Sequence, residues 1–304
     1  MARRIIECVP NFSEGRNAET VGRVVDAIAA VPGVVLLGKE SDSDHHRSVV
    51  TFAGVPEAVE EGAFRGIAAA AKWIDLRRHE GVHPRIGAAD VVPFVPVVNS
   101  SLQECAEVAH RLGERVWSEL GIPVYFYEAA ARHEERRRLE NVRRGGFEKL
   151  SEWVRTDAAR QPDIGGPELH ATAGAVIIGE RKFLLAFNIN LDTADVDVAK
   201  AIAVKIRASS GGLPHVKAMG VLLASRGLAQ VSMNLTDFEV TPLHVVYEAV
   251  EREAAARGVK IAGSEIIGLM PAKALAMAAA RALRTENFAE SQILESRLLG
   301  NLVD

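Results

Sequence analysis

Short apolar runs alternate with longer stretches of helical period, and this order occurs twice along the chain, which narrows the open folds more than any single motif does. In the first half, Arg4 to Val9 reads as a strand, and Pro10, Asn11, Ser13 and Gly15 as a loop. Val21, Val24, Val25, Ile28 and Val31 recur at helical spacing until Pro32 and Gly33 stop them. Val34 to Leu37 and Ser48 to Phe52 form a strand pair around the polar loop Lys39 to Arg47. Val59, Ala63, Ile67, Ala70 and Ile74 mark a second helix. A long loop, Asp75 to Asp90, leads to the strand Val91 to Val98. Its Pro93 and Pro96 predict an edge or irregular strand, because proline cannot donate to a ladder. Ser101 and Glu104 make a capping box that opens a helix with Leu102, Cys105, Ala109, Leu112, Val116 and Leu120 on one face. Gly121 and Pro123 end it, and Ile122 to Tyr127 is the next strand.

Residues 129 to 160 are charged and partly helical, and the Gly, Pro and Ala-rich stretch from Asp163 to Gly174 marks a boundary. Beyond it the order starts again, with strands at Ala175 to Gly179 and Phe183 to Ile189. A helix capped by Asp192 to Asp195 runs through Ile206, followed by paired strands at Val216 to Leu223 and Ala229 to Leu235. Thr241 and Pro242 read as an N-cap and a first-turn proline of a helix through Ala256. A last strand spans Ile261 to Leu269, and Pro271 starts the final helix. The β-α-β-β-α-β order of each half predicts an α+β protein with helices on one face of mostly antiparallel sheets. The architecture expected is two ferredoxin-like (split βαβ) α/β-sandwich subdomains side by side with a groove between them, residues 1–178 and 179–304.

Composition excludes several function classes. The 304 residues are 48% hydrophobic and 25% charged, as in a folded protein with a sizeable core. A net charge of −4 supplies no basic field for nucleic acid. Cys8 and Cys105 alone make no disulfide framework, which fits a reducing compartment. Glu7 breaks the N-terminal apolar run, and no stretch reaches the ~18 to 20 apolar residues of a membrane span. The expectation is a cytoplasmic protein with no nucleic-acid or membrane partner.

Two loops concentrate chemistry. His79-Glu80-Gly81-Val82-His83 matches the H-E-x-x-H pattern of zinc peptidases, which needs both imidazoles one helical turn apart. Gly81 inside that turn and Pro84 after it argue against a helix. In a loop reading, Arg77 to Gly87 packs two His and three Arg into eleven residues. There His83 either serves as an imidazole able to accept a proton at cell pH, or merely hydrogen-bonds the loop backbone. The loop Lys39 to Arg47 holds Glu40, Asp42 and Asp44 beside His45 and His46. It reads either as a cation or charged-substrate site or as a solvated hairpin. Asn11, the Gly165-Gly166-Pro167 turn, Phe187 to Asn190 and Ser232 to Asp237 are further clues, since Asn beyond a strand orients ligand edges or caps turns. The run Arg132 to Lys149 has seven Lys/Arg against four Asp/Glu, a solvated helix face by default. P-loop, dinucleotide and nucleophile-elbow signatures are absent.

Taken together, the chain resembles the glutamate formimidoyltransferase (formiminotransferase) family. The stretches that carry the resemblance are I-E-C-V-P-N-F-S-E-G-R-N (6–17), H-E-G-V-H-P-R-I-G-A (79–88), I-P-V-Y-F-Y (122–127), R-K-F-L-L-A-F-N-I-N-L (181–191), L-A-Q-V-S-M-N-L-T-D-F-E-V-T (228–241) and G-L-M-P-A-K-A-L (268–275). The resemblance implies transfer of a formimino group from N-formimidoylglutamate to N5 of tetrahydrofolate, with tetrahydrofolate as co-substrate and no metal. It also implies a homodimer of a stand-alone transferase, without the cyclodeaminase that some relatives carry. The family's catalytic histidine falls on His83. Its folate-binding segment falls on Gly165, Gly166, Pro167, Glu168, Leu169, His170, Ala171, Thr172, Ala173 and Gly174, which diverge from the family beyond the glycine-proline start. The family's acidic residue after the second strand falls on Glu40, with Asp42 and Asp44 as neighbours able to pair with the amidinium. Arg47 and Arg85 are the expected partners of substrate carboxylates, and the basic run at 132–149 is a place for a polyglutamate tail. The other readings kept open are the zinc peptidase and a non-catalytic folate-binding protein.

Overall fold

The computed structural model describes residues 3–43, 45–81, 84–223 and 226–296, and divides into two compact units, Met1–Arg181 and Lys182–Asp304. In the first unit the elements are β1 (Ile5–Cys8), β2 (Asn11–Phe12), α1 (Ala18–Ala29), β3 (Val35–Asp42), β4 (Arg47–Gly54), α2 (Pro56–Trp73), β5 (Ala89–Val98), α3 (Leu102–Leu120), β6 (Val124–Tyr127), α4 (Leu139–Val142), α5 (Gly146–Thr156) and β7 (Val176–Glu180). They build a seven-stranded sheet in which β3 pairs β4, β4 pairs β1 and β2, both of these pair β5, and β7 and β6 follow. The pairings up to β5 are antiparallel, whereas β5–β7 and β7–β6 are parallel. The sheet is therefore mostly antiparallel, as expected, with a parallel end at β5–β7–β6. Residues 175–179, expected to open the second half, instead close the first sheet.

β4 alternates buried and half-buried residues along its whole length, the period-2 signature of a strand with one covered face. On the covered face, Phe12, Ile28, Phe52, Ile67, Phe94, Leu112 and Phe126 form one core with α1, α2 and α3. The other face is covered by α4 and α5 at the β5–β7–β6 end, where Ile86, Val91, Tyr125, Val142, Leu150 and Ile177 pack together. The capping box of α3 forms as expected: Ser101 Oγ accepts from the Glu104 amide at 3.2 Å, and Glu104 Oε2 accepts from the Ser101 amide at 2.8 Å. Gly121 ends that helix in the left-handed region at φ 64°.

β5 is central, contrary to the expectation from its prolines. Phe94 pairs Cys8 of β1 and Val91 pairs Asn11 of β2, so Pro93 lies opposite the Val9–Pro10 break between those strands. On the other side, pairing with β7 stops at Phe94, before Pro96. The missing N–H groups thus fall at a break between two strands and beyond the end of the β5–β7 pairing.

Glu180 ends β7 at 1% exposure and accepts from the Ala129 and Ala130 amides at 2.8 and 2.9 Å. Burial nevertheless pushes its carboxyl up to about 7 from an ordinary 4.5. An acid raised in the folded state holds its proton more tightly there than in the unfolded chain. Its contribution therefore favours folding below about 4.5, declines as pH climbs to about 7, and is flat above. Measured against Glu180→Gln in urea, the wild type should lose roughly 2–4 kcal/mol of relative stability between pH 5 and 8. Parallel pH dependences of the two proteins would contradict the assignment.

The second unit contains β8 (Leu185–Leu191), α6 (Val196–Ile206), β9 (Val216–Leu223), β10 (Leu228–Leu235), α7 (Leu243–Ala255), β11 (Ile261–Ile267) and α8 (Ala272–Leu283). The strands pair antiparallel in the order β11-β8-β10-β9, with helices after the first and third strands. Leu185, Phe187, Ile189 and Leu191 alternate onto the buried face and pack with Ile202, Val231, Met233, Val246 and Val250. Asp195 caps α6 by accepting from the Asp197 amide at 2.9 Å. Thr241 does not cap α7: its hydroxyl donates to the Pro214 carbonyl at 2.6 Å, and Pro242 occupies the cap position. Among the described residues, no helix is long and apolar enough to cross a membrane.

Candidate functional site

The polar motif near the start of the chain bends where β1 hands over to β2, and its side chains tie the bend to its neighbours. Asn11 Nδ2 donates to the Val9 carbonyl at 2.9 Å, while its Oδ1 accepts from Arg47 Nε at 2.9 Å. Ser13 Oγ donates to the Gly87 carbonyl at 2.7 Å. Glu14 Oε1 accepts from the Arg16 and Asn17 amides, both at 2.8 Å. Burial raises the Glu14 carboxyl, but these amides and His46 outweigh it and hold the group below its ordinary range. Gly15 passes so close to β3 and β4 that a Cβ would sit 2.1 Å from the Asp42 carbonyl oxygen. No residue with a side chain fits there.

Asp90, 1% exposed at the start of β5, gathers charge from distant parts of the sequence. Its Oδ1 accepts from the Ile86 amide at 2.8 Å, and its Oδ2 lies 2.5 Å from an Arg143 nitrogen and 3.5 Å from Arg47. Two guanidiniums thus converge on one buried carboxylate. Burial, together with the Arg143 charge, lowers Arg47 to about 10 against the opposing pull of Asp90. A site of this charge is complementary to carboxylate groups.

The described residues of the loop after α2 are held at several points. His79, 8% exposed, follows a short 3-10 turn at Leu76–Arg78 and adopts extended backbone, not helix. Its ring stacks on His46 with centroids 4.3 Å apart and planes 10° from parallel. Arg85 pairs with Glu148 of α5 at 2.8 Å and donates to the His79 carbonyl at 3.1 Å. The loop then runs beside residues 172–175: Leu76 donates to the Thr172 carbonyl, Ala88 to Ala173 and Ala175 to Ile86. Phe12, Ser13, His45, His46, Arg47, His79, Arg85 and Asp90 line a small cavity of about 10 Å³, room for roughly one water.

The structure brings together Asn11, Arg47, Arg85 and the 170–174 end of the expected folate segment, whose His170 and Gly174 amides bond reciprocally at 2.9 Å. Asp44 and His83 lie outside the described residues, as does Val82. Glu40 sits on the exposed strand β3 opposite Val49, apart from the Asp90 cluster. At the other end of the expected folate segment, Gly165 packs beneath Trp117 and Glu168 pairs with Arg155 on the surface. Leu169 packs against the core beneath α5. Glu14, His46, Asp90, Arg143 and Glu148 were not foreseen as site residues. Arg143 and Glu148 come from the run read as a solvated face, and their partners are 53 and 63 residues away, beyond any local pattern.

The zinc-peptidase reading fails on local structure, because His79 to Gly81 are not helical and His79 Nε2 already bonds the His46 carbonyl at 2.9 Å. Among the described residues, no group of three His, Cys, Asp or Glu is placed to hold a metal. Cys8 and Cys105 are buried, and burial raises both thiols, Cys105 to about 12. Neither is a nucleophile. A larger groove of about 400 Å³ between α2 and α3 is lined by Arg4, Glu60, Glu61 and Arg115, with none of the residues above.

Comparison with known proteins accounts for both units. Residues 5–181 match the N-terminal subdomain of the formiminotransferase domain, and residues 186–298 match the formiminotransferase domain. The chain belongs to the formiminotransferase family. Within that family it is 46% identical over 298 residues to a glutamate formimidoyltransferase of Streptococcus pyogenes serotype M1, covering 98% of this chain and 99% of that protein. It is 45% identical to the glutamate formimidoyltransferase of Thermoplasma acidophilum, over 97% of each chain. A formimidoyltransferase-cyclodeaminase of Gallus gallus is also 45% identical, but the match covers only 52% of that longer protein.

Proposed function

We propose that the protein transfers a formimino group from N-formimidoylglutamate to N5 of tetrahydrofolate, giving 5-formimidoyltetrahydrofolate and glutamate. Support comes from the match to stand-alone glutamate formimidoyltransferases over nearly the whole chain, and from arginines gathered around Asp90 beside the 79–88 loop. The second observation carries the chemistry, because donor and acceptor both bear carboxylates, and Arg47 at that cluster, with Arg85 in the adjoining loop, is the expected partner for them.

A formimidoyl group is an amidine, and protonation on its nitrogen makes the central carbon the electrophile. When N5 attacks, that nitrogen becomes positive and must lose a proton, and the departing glutamate nitrogen must gain one before its C–N bond breaks. One imidazole can do both in turn, as base and then as acid. We assign this shuttle to His83 and folate contacts to the segment 165–174. The same reading makes the enzyme a cytoplasmic homodimer.

Incubation with tetrahydrofolate and N-formimidoylglutamate, followed by acid, should develop the methenyl-folate chromophore. N-formimidoylglycine and 5-formyltetrahydrofolate run alongside define the preferred substrate. Folate binding without chromophore from any donor would instead indicate a non-catalytic folate-binding protein. Exhaustive chelation should leave turnover unchanged, and loss of activity restored by zinc would contradict the proton-shuttle chemistry.

A further inference from the structure

We propose that His46 and His79 form a positioning pair that fixes the approach to His83. The proposal rests on the catalytic role assigned above to His83, but the pair itself is a property of the fold.

Four observations place it. His46 holds left-handed backbone at φ 50°, a conformation that is strained for a residue with a side chain and persists only where surroundings enforce it. Both ring nitrogens of His46 face oxygens that only accept: Nε2 lies 3.1 Å from Glu14 Oε1 and Nδ1 lies 3.3 Å from the Glu80 carbonyl. The ring therefore joins the β2–α1 loop to the 79–81 segment. In return, His79 Nε2 donates to the His46 carbonyl at 2.9 Å, and the two rings lie face to face.

The fourth is Gly81, which fills the space the pair leaves. A Cβ there would sit 2.7 Å from the His45 carbonyl oxygen and 2.8 Å from both His46 Cβ and His79 Cε1. Downstream, Arg85 is fastened by Glu148 and by the Phe147 amide, which donates to the Arg85 carbonyl at 2.8 Å. Both flanks of the stretch that contains His83 are thus anchored, the near flank by the imidazole pair.

Burial lowers the pKa of His79, which favours a neutral ring whose Nδ1, buried and without a partner among the described residues, carries a lone pair. The charged groups around the pair are Glu14 from the β2–α1 loop, His45 and Arg47 from the β3–β4 hairpin, Arg85 and Asp90 from the following loop and strand, and Glu148 from α5.

The test uses the full-length enzyme and three substitutions. Asn tolerates left-handed backbone, so His46→Asn removes the ring without straining the turn. His79→Ala removes the second ring, and His79→Gln keeps a side-chain N–H for the His46 carbonyl. His46→Asn and His79→Ala should each lower kcat at least ~10-fold with KM for tetrahydrofolate within about twofold, because misplacement rather than binding is affected. The double variant should be no worse than the worse single one, since partners in one contact are not additive. His79→Gln should recover most of the lost turnover. In parallel, amide hydrogen exchange should accelerate across residues 79–85 in both single variants and stay unchanged elsewhere. Wild-type kcat in the single variants, additive losses, or unchanged exchange in 79–85 would each overturn the proposal. The exchange readout is independent of turnover, so an inactive wild type would overturn the assigned reaction and leave the anchor measurable.

Discussion

Replacing His83 by alanine should lower turnover by ~10² or more and leave the protein folded with its affinity for tetrahydrofolate little changed. Formimino transfer demands two proton movements in opposite directions, one off the attacking nitrogen and one onto the leaving nitrogen. With the imidazole gone, water must perform both from an unordered position. On the proposed reading the folate carboxylates and pterin are assigned to other groups, so KM should move far less than kcat, the sign of an interaction made in the transition state alone. Stability should be spared because described residues that follow His83 in sequence carry their own anchors: Arg85 to Glu148, Ala88 to Ala173, and Ala175 to Ile86. Steady-state kinetics with urea denaturation of the same sample checks both halves. A variant with wild-type kcat, or one whose loss is explained by unfolding, would end the assignment.

Substitution of Asp90 should have the largest effect on stability. Asp90→Ala leaves Arg47 and Arg143 facing each other with their shared carboxylate gone, and leaves the buried Ile86 amide without its acceptor. Removing one partner of a buried charged cluster costs about 3–5 kcal/mol, because the remaining charge stays buried. Asp90→Asn separates the two causes: its amide oxygen can still accept from Ile86 while the negative charge is lost. We expect a smaller loss of stability in Asp90→Asn than in Asp90→Ala, but a comparable loss of turnover, since both disturb Arg47 and the start of β5. Urea midpoints and kcat for the two variants decide it. Equal stability of Asp90→Ala and wild type would mean that the cluster is solvated and does not organise the site.

Periodicity revealed most of the elements, because amphipathic helices and half-buried strands write their burial into their spacing. Val21 to Ile28 in α1 and the Ser101–Glu104 capping box are cases where the local signal was complete. The position of β5 was not legible locally. Two prolines argued for an edge, and only the break between β1 and β2, a property of another part of the chain, makes them acceptable in the centre. The strand Ala175 to Gly179 reads locally as the start of a new β-α-β order, whereas it pairs with β5 and β6, because a glycine-rich stretch can precede a strand that returns to the first sheet.

The site divided the same way. Asn11, Arg47 and Arg85 stood out because they lie in dense polar motifs. Asp90 and Arg143 did not, since a lone aspartate before an apolar strand and one arginine in a charged run carry no sign that they meet. The stacked imidazoles are intermediate: His46 and His79 were both visible in polar loops, but their pairing across 33 residues is a product of the hairpin's left-handed turn.

A single-turnover comparison of wild type and His83→Ala, with tetrahydrofolate saturating and N-formimidoylglutamate limiting, probes the proton shuttle most directly. Glutamate release and the acid-developed methenyl chromophore should rise together, one for one, in the wild type, and at least ~10² more slowly in the variant. Equal rates in the two proteins, or glutamate released without chromophore, would contradict the account.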